Sequence, residues 1–296
     1  MTGGDEGEGD QGHPHPASPI KGEVRGNAAS FARGIYQMEA RKDGRKPASF
    51  GEWMQQTTPA IILKKVAYGE ADLIVTFFGR EEGRLSGIAK HARASQKRFG
   101  GALELGSIVD LRYTSRYSSD LVRIEDANVT TPTVGILQSL GRIAAMSKAL
   151  ELALAFLPER QSASEKFDYL VQYITVLTKS EPTFTSALAF ELKWLSYVGY
   201  QPALDGCMNC GGQGGLEGTW SFSISHGGIF CQKCVRPHFH RVHLKEKTLQ
   251  GMRRLAHGQE ALLDHDDHHS IKNILLHYVE HLLGRPLHGR IITDRW

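Results

Sequence analysis

The sequence predicts an α+β protein in which a five-stranded N-terminal barrel is followed by an all-helical domain with an inserted cysteine-rich ribbon. Three observations lead to this fold class. Five short β-rich runs lie between Thr58 and Val129, apolar residues recur at helical spacing in the second half, and all four cysteines lie between Cys207 and Cys234. The predicted boundaries are 57–132 for the barrel, 133–296 for the helical domain and 205–236 for the ribbon.

Length and composition place the chain among soluble globular proteins. Its 296 residues are enough for about two domains, and 41% hydrophobic with 23% charged residues is an ordinary balance. No apolar run approaches the roughly 18–20 residues that a membrane span needs, and no signal sequence opens the chain. The net charge is +3, so any site for a polyanion must be a local patch. We therefore expect a cytoplasmic protein with reduced thiols and no membrane partner.

Residues 1–56 differ from the rest of the chain. The opening stretch "MTGGDEGEGDQGHPHP" is rich in Gly, Glu, Asp and Pro and shows no apolar periodicity. Such a composition offers little to bury against the entropy cost of ordering. We expect either a disordered tail or an over-extended start, with Met54 as the true beginning.

The five β-rich runs predict a small barrel. They are "PAIILKKVAY", "ADLIVTFFG", "RLSGIAKHA", "SIVDLRYTS" and "DLVRIEDANV", separated by glycine- and serine-containing turns. Five strands in about 70 residues are typical of an OB-fold barrel. An SH3-like barrel gives much the same pattern, so periodicity leaves both open.

After Pro132 the pattern becomes helical. A first stripe of apolar residues ends at Pro158, a second helix starts near Ser164, and Gly199 closes a third as its C′ residue. The first stripe, which we assign to the core, is Ile136, Leu140, Ile143, Leu150, Leu154 and Leu157. Two further helices are predicted at 245–256 and 270–283, so the ribbon is inserted within the helical domain.

The cysteines form two Cys-x-x-Cys pairs, and this spacing is typical of a zinc ribbon. A two-residue gap in a tight turn brings two sulfurs to one ion, and a second such turn completes a tetrahedron. Glycines next to both pairs suit the sharp turns. A redox dithiol and a pair of disulfides are the competing interpretations. We predict one structural zinc ion, because four thiolates leave no open coordination position. The predicted ligands are Cys207, Cys210, Cys231 and Cys234.

Two groups of histidines are weaker metal candidates. Three of them, His238, His240 and His243, follow the second cysteine pair, but soft thiolates outcompete imidazole for the ion. The cluster "DHDDHH" at 264–269 is interpreted as a loop and helix start, with Asp267 or Ser270 as the cap.

No recognised catalytic motif occurs in the sequence. A phosphate-binding glycine loop, a nucleotide-binding G-x-G-x-x-G, a G-x-S-x-G and an H-E-x-x-H are all missing. We therefore expect a protein that is not an enzyme.

The most informative charged segment is "GRLSGIAKHARASQKRFGGAL", which contains no acid. In a barrel, its cations lie at the end of the third strand and in the loop that follows. Phosphate-tracking cations beside aromatic platforms are the usual means of binding single-stranded nucleic acid, and Phe99 and Tyr113 are the candidate platforms. The alternative to nucleic-acid binding is an ordinary solvated charged loop, with both aromatic residues in the core. The candidate nucleic-acid contacts are Arg84, Lys90, Arg93, Lys97 and Arg98.

Several stretches resemble one known family. The segments "YGEADLIVTFFGREEGRLSGIAKHAR" and "RFGGALELGSIVDL" are similar to the first domain of the RecO family of bacterial recombination mediators. The stretch "FELKWLSYVGYQPALDGCMNCG" resembles that family's junction between helical domain and ribbon, and "HLLGRPLHGR" its closing segment. The resemblance runs from about Thr58 to the C-terminus in matching order. The tail before Met54 has no counterpart, and some members lack the four cysteines.

The resemblance implies a non-enzymatic protein with an OB domain and a helical domain. It implies binding to single- and double-stranded DNA and annealing of complementary strands coated with single-strand-binding protein. It also implies work with RecR to load the recombinase RecA in the RecF pathway of DNA repair, in the cytoplasm at the nucleoid. The five basic residues named above fall in the family's cationic OB region.

Two other classes remain open from the residues alone. One is an RNA-binding ribbon-and-barrel protein of the translation or transcription machinery, which RNA preference in competition would reveal. The other is a zinc-dependent hydrolase or nuclease, which needs an open metal position or a carboxylate cluster.

Overall fold

The computed structural model describes residues 54–115, 119–213, 219–236 and 240–287. The predicted tail, apart from its last three residues, lies outside these ranges. So does His238, one of the histidines considered above as a ligand.

Five strands close into a barrel in the order β1-β2-β3-β5-β4. Their bounds are β1 Met54–Tyr68, β2 Asp72–Gly79, β3 Gly83–Ala89, β4 Ile108–Ser115 and β5 Leu121–Thr131. Neighbouring strands are antiparallel except β3 and β5, which run parallel. This is the five-stranded OB barrel, so the predicted fold is confirmed over the SH3-like alternative.

The first strand is longer than its apolar run. It begins at Met54, and Met54 to Ile61 pair residue by residue with β4 from Ser115 back to Ile108. The added residues, MQQTT, carry no apolar signal because they lie at an end of the barrel where most of them remain partly exposed.

Consecutive apolar residues in β1 and β2 belong to two separate cores. Ile62 and Phe77 are buried inside the barrel, whereas Ile61 and Phe78 belong to the core that the barrel shares with the helices. Successive side chains of a strand point to opposite faces, so an unbroken apolar run indicates burial on both sides. Phe78 meets Phe167 edge to face, with ring centroids 5.4 Å apart.

The helical part begins with a 3-10 helix, Val134–Gln138. The α-helices of the described chain are α1 Gln96–Phe99, α2 Leu140–Phe156, α3 Ser164–Leu177, α4 Phe184–Tyr197, α5 Glu246–Ala256 and α6 His265–Leu283. The short α1 lies between β3 and β4, and its Phe99 is buried in the barrel core. Gly199 follows α4 with φ +84°, as expected of a C′ glycine.

The prediction that Leu140 lies in the core is wrong. Leu140 is 81% exposed, whereas Ile136 and Leu150 of the same predicted stripe are buried. The chain leaves the 3-10 helix through Ser139, whose backbone is extended and whose side chain caps α2. This break shifts the helical phase, so Leu140 starts a new helix on its solvent side.

The start of α6 also differs from the prediction. Asp264 is the N-cap, and its carboxylate accepts a hydrogen bond from the Asp267 N–H at 2.8 Å. In return, the Asp267 carboxylate accepts from the Asp264 N–H, which completes a capping box. Asp267 is buried and also accepts from the Thr248 hydroxyl at 2.6 Å. Hydrogen bonds from Lys247 and the Asp267 backbone lower the pKa of Asp264 to about 2. The acid-histidine cluster is therefore the capped first turn of a helix that starts earlier than predicted.

The ribbon is a three-stranded sheet in the order β7-β6-β8. Its strands are β6 Trp220–Ser223, β7 Gly228–Cys231 and β8 Arg241–Leu244. The third strand lies beyond the residue range predicted for the ribbon. Trp220 and Phe222 are buried in the same core as the helices, so the ribbon packs onto the helical part.

Barrel and helices meet at the turn between β2 and β3. The Arg80 guanidinium binds both carboxylate oxygens of Asp168 in α3, at 2.9 and 2.8 Å. Gly83 has φ +75°, and a Cβ there would lie 2.0 Å from the Gln161 carbonyl oxygen. Only glycine allows this approach of the barrel to the segment that precedes α3.

Among the described helices, none combines the length and the apolar character needed to cross a membrane.

Candidate metal centre and nucleic-acid surface

The two cysteine turns bring all four sulfurs together. Their Sγ atoms lie within 4.8 Å of one another, and none of the four is in a disulfide. The Cys210 and Cys231 sulfurs are 3.9 Å apart, close to the ~3.8 Å edge of a tetrahedron with metal–sulfur bonds of about 2.3 Å. The predicted grouping is confirmed, and the four side chains suit one thiophilic metal ion.

Each turn is closed by its own backbone. The Gly211 N–H donates to the Cys207 carbonyl at 2.8 Å, and the Cys234 N–H donates to the Cys231 carbonyl at 3.0 Å. Gly211 has φ +68°, a conformation that favours glycine. The spacing of each Cys-x-x-Cys pair therefore determines a turn that aims both sulfurs the same way.

The protein prepares one of these thiols for ionisation. Burial opposes ionisation of Cys207, but N–H groups of Cys231, Cys210 and Asn209 together lower the pKa of its thiol to about 6. The Asn209 amide also donates to Cys234, yet the other three sulfurs and desolvation outweigh it and raise that thiol's pKa to about 11. Four sulfurs this close cannot all be anionic without a cation between them.

The neighbouring histidines face other partners. His243 lies beside the Ser221 hydroxyl, 3.5 Å from it, and His240 lies beside His277, with ring centroids 6.5 Å apart. Over the described ranges, the cysteines are the one group of three or more ligand side chains close enough for a metal. The acid-histidine cluster of α6 therefore forms no such group.

Four of the five predicted basic residues lie in one segment, residues 90–98, which we call the basic loop. Its last three residues belong to the short helix α1. Lys90 is paired with Asp72 at 2.7 Å, and the Arg93 guanidinium donates to the Glu70 carbonyl at 2.9 Å. Lys97 is exposed and has no ion pair with any residue of the described chain. Arg98 is half-buried, braced by the Lys90 carbonyl and lying over the Phe99 ring.

Arg84 lies apart from these four, at the opposite end of β3. Its Nε donates to the Leu157 carbonyl at 2.9 Å, and its Nη2 lies 3.3 Å from the Glu159 carboxylate. This guanidinium ties the barrel to the helical part, so two of its nitrogens are engaged within the fold.

The two aromatic platforms suggested by the sequence are core residues. Phe99 is 4% exposed and Tyr113 is 1% exposed, and both belong to the barrel core. The Tyr113 hydroxyl bonds to Gln56 of β1. Neither ring is available to stack on a base.

Tyr68 is the aromatic residue that sequence reasoning missed. It is 53% exposed, lies opposite Asp72, and therefore neighbours the basic loop. It shares an outer face of the barrel with Val66, which begins a cross-strand row through Ile74 and Ile88. The signal was available, because Tyr68 ends a strand just before the turn glycine at 69, and connecting segments run over the protein surface.

Comparison with known proteins agrees with the fold. The family model described as "Recombination protein O N terminal" matches residues 54–133, and "Recombination protein O C terminal" matches residues 137–291.

Individual relatives cover most of the chain. The DNA repair protein RecO of Anaeromyxobacter dehalogenans (strain 2CP-C) is 34% identical over 239 residues, which is 79% of this chain and 94% of that relative. The DNA repair protein RecO of Myxococcus xanthus (strain DK1622) is 32% identical over 228 residues, or 77% and 92%. That of Syntrophus aciditrophicus (strain SB) is 28% identical over 251 residues, or 80% and 94%. With both halves matched in order, the chain belongs to the RecO family of DNA repair proteins.

Proposed function

We propose that this protein is a non-enzymatic recombination mediator that binds single- and double-stranded DNA and anneals complementary strands. It would also help to load the recombinase RecA onto single strands coated with single-strand-binding protein, together with RecR, at the nucleoid in the cytoplasm. The observation that carries the proposal is the basic loop, set against the exposed outer face of β1, β2 and β3.

The loop is placed beside the part of an OB barrel that usually binds oligonucleotides. Ligands of OB-folds lie across the face of strands 2 and 3 and against the loop between strands 1 and 2. Here that turn is Gly69 to Ala71, and both the Arg93 side chain and its N–H donate to it. The cations that would bind phosphate therefore border the face on which Tyr68 is exposed.

The surface suits annealing because it offers cations and an apolar row rather than a set of base-reading groups. Arg93 and Lys97 are exposed, and the row they border consists of Val66, Ile74 and Ile88. Cations that neutralise phosphates lower the repulsion between two strands. Stacking contacts accept any base and leave its pairing edge free.

We also propose that the four cysteines hold one zinc ion. Four thiolates in a tetrahedron favour zinc over harder cations and leave no position for water or substrate. The ion would supply no chemistry. The cysteines would use it to join the two turns and so to fix the ribbon against the helices.

The test measures how many phosphates the basic loop contacts. We compare wild type with an Arg93→Ala/Lys97→Ala variant in fluorescence-anisotropy titrations on single-stranded DNA at several salt concentrations. Each lost contact removes about 0.7 from the slope of log affinity against log salt, so the double variant should flatten the slope by about 1.4. Arg98 is left in place because it is half-buried and bonds within the loop itself, to the Lys90 carbonyl, whereas Arg93 and Lys97 are exposed.

A variant with the same charge change serves as control. Lys166→Ala/Lys179→Ala alters two cations of the α3 region and should leave the slope unchanged, because α3 meets the barrel at the β2–β3 turn, at the end of β3 opposite to the basic loop. An equal slope for the loop variant and wild type, with the same melting temperature, would contradict the proposal. An RNA competitor that outcompetes DNA of the same sequence would instead favour an RNA-binding role.

A further inference from the structure

The ribbon carries a second cationic surface that the proposed function does not use. Between Glu217 and Glu246 the sequence has no acidic residue. The cations and imidazoles in this stretch are Lys233, Arg236, Arg241, Lys245, His226, His238, His240 and His243. Such a one-signed stretch on a folded sheet concentrates positive potential on one part of the surface.

The sheet register sorts these residues onto two faces. Trp220 and Phe222 of β6 pair with Leu244 and Val242 of β8, and this inner face packs on the helices. The opposite face alternates with it: Ser221 pairs with His243 and Ser223 pairs with Arg241. Both serines are buried, whereas His243 is exposed and Arg241 is partly exposed. Lys245 continues the alternation, because its backbone is also extended.

Hydrogen bonds join further donors to this side. The Arg241 guanidinium donates to the Arg236 carbonyl at 3.3 Å, which brings Arg236 beside β8. The Ser223 hydroxyl lies 2.8 Å from the ring of His226, which is exposed. We call His226, Arg236, Arg241, His243 and Lys245, which are exposed or partly exposed, the outer ribbon face.

Its cations have no acidic partners in the described part of the chain. Glu246 is adjacent in sequence, but its carboxylate accepts from the Trp220 indole at 2.5 Å and from the Gln250 amide at 2.6 Å. Trp220 belongs to the inner face, so this carboxylate is directed there. Lys90 of the basic loop, in contrast, is already paired with Asp72.

We propose that the outer ribbon face is a second phosphate-binding site, which takes a nucleic-acid strand while the barrel holds another. This inference rests on the proposed annealing function and deepens it. Arginine and lysine are frequent donors to phosphate oxygens, and such contacts carry no sequence information. A molecule with two such sites holds two complementary strands at once, as annealing requires.

The chemistry favours a nucleic-acid strand over an acidic protein. Protein interfaces have an apolar centre surrounded by polar residues. From Thr219 to Lys245, no described residue is a large hydrophobic side chain exposed to solvent. The outer ribbon face offers polar donors instead, which suits a polyanion.

The test counts bound strands. Oligonucleotides of about 8 nucleotides match one OB-type site but are too short to reach across the molecule. Sedimentation with labelled oligonucleotide at low salt should give two strands per wild-type protein. The Arg241→Ala/Lys245→Ala variant should bind one strand, and its annealing rate should fall at least tenfold. The Arg241→Lys/Lys245→Arg variant keeps both charges and should still bind two.

Each outcome separates the two proposals. One strand on wild type, or two strands on the Arg241→Ala/Lys245→Ala variant, would overturn the ribbon site. If the Arg241→Ala/Lys245→Ala variant binds one strand while the Arg93→Ala/Lys97→Ala variant still binds two, the ribbon site is upheld and the proposed barrel site is contradicted. Equal melting temperature and metal content in wild type and variants would show that each result concerns binding and not folding.

Discussion

At the scale of single residues, the four cysteines differ in burial and in role. Cys207 is 2% exposed and belongs to the shared core, whereas Cys210 is exposed. The N–H of Cys231 donates to the Cys207 sulfur at 3.4 Å, and the Asn209 amide donates to the Cys234 sulfur at 3.4 Å. Such bonds orient thiolate ligands before a metal arrives. One cysteine therefore anchors the site in the core while its partners close it from the solvent side.

Cys210→Ser tests the metal centre without leaving a cavity. Removal of one exposed sulfur should abolish stoichiometric zinc binding and lower the melting temperature by at least 5 °C, because metal binding is coupled to folding. Metal analysis and thermal unfolding check both effects, with the exposed Gln213→Ser as control. Retention of zinc, or wild-type stability without it, would show that the cysteines are not a structural metal site.

At the scale of elements, the basic loop takes its shape from β2 and the turn before it. Asp72, the first residue of β2, accepts from the His91 N–H at 2.8 Å and from the Lys90 ammonium at 2.7 Å. Both bonds lower the pKa of the Asp72 carboxyl, and the bond from the His91 N–H has the larger effect. The carboxylate stays charged at neutral pH, so it both holds the loop and neutralises one of its cations.

Two substitutions separate these roles of Asp72. Asp72→Asn keeps an oxygen for the His91 N–H and releases Lys90, so the salt slope of DNA binding should steepen by about 0.7. Asp72→Ala leaves that N–H without its acceptor and loosens the loop, so it should bind DNA more weakly than the Asn variant. Anisotropy titrations of both variants provide the measurement. Identical slopes for Asp72→Asn and wild type would mean that Lys90 touches no phosphate.

At the scale of the whole molecule, the barrel and the helices share a core. Ile61, Phe78 and Ile108 of the barrel cluster with buried residues of the helices and the ribbon. Arg80 and Arg84 add polar contacts across the same junction. We therefore expect the barrel and the helices to unfold together rather than as independent domains.

Phe78→Ala tests this coupling. Loss of a fully buried ring at the junction should lower the free energy of unfolding by about 3–5 kcal/mol. Hydrogen exchange should rise together in peptides from the barrel and from α3. Val134→Ala, at a residue 69% exposed, is the control and should change neither. Faster exchange confined to barrel peptides would show that the two parts unfold separately.

Family membership also answers the question of catalysis. The RecO family consists of DNA repair mediators and not of catalysts, so the expectation that the chain is not an enzyme is confirmed by the family match. The DNA contacts and the metal's identity stay proposals.

By itself, the sequence determined the features that depend on local patterns. Strand and helix positions follow from periodicity, and the convergence of four sulfurs follows from two short turns.

Only the tertiary structure decided which of these residues remain accessible. Phe99 and Tyr113 are enclosed in the barrel core, Leu140 is exposed by a break in helical phase, and Arg84 is held at the junction. In their place Tyr68 became the exposed aromatic beside the basic loop. Accessibility depends on contacts between elements far apart in the chain, and local periodicity carries no information about such contacts.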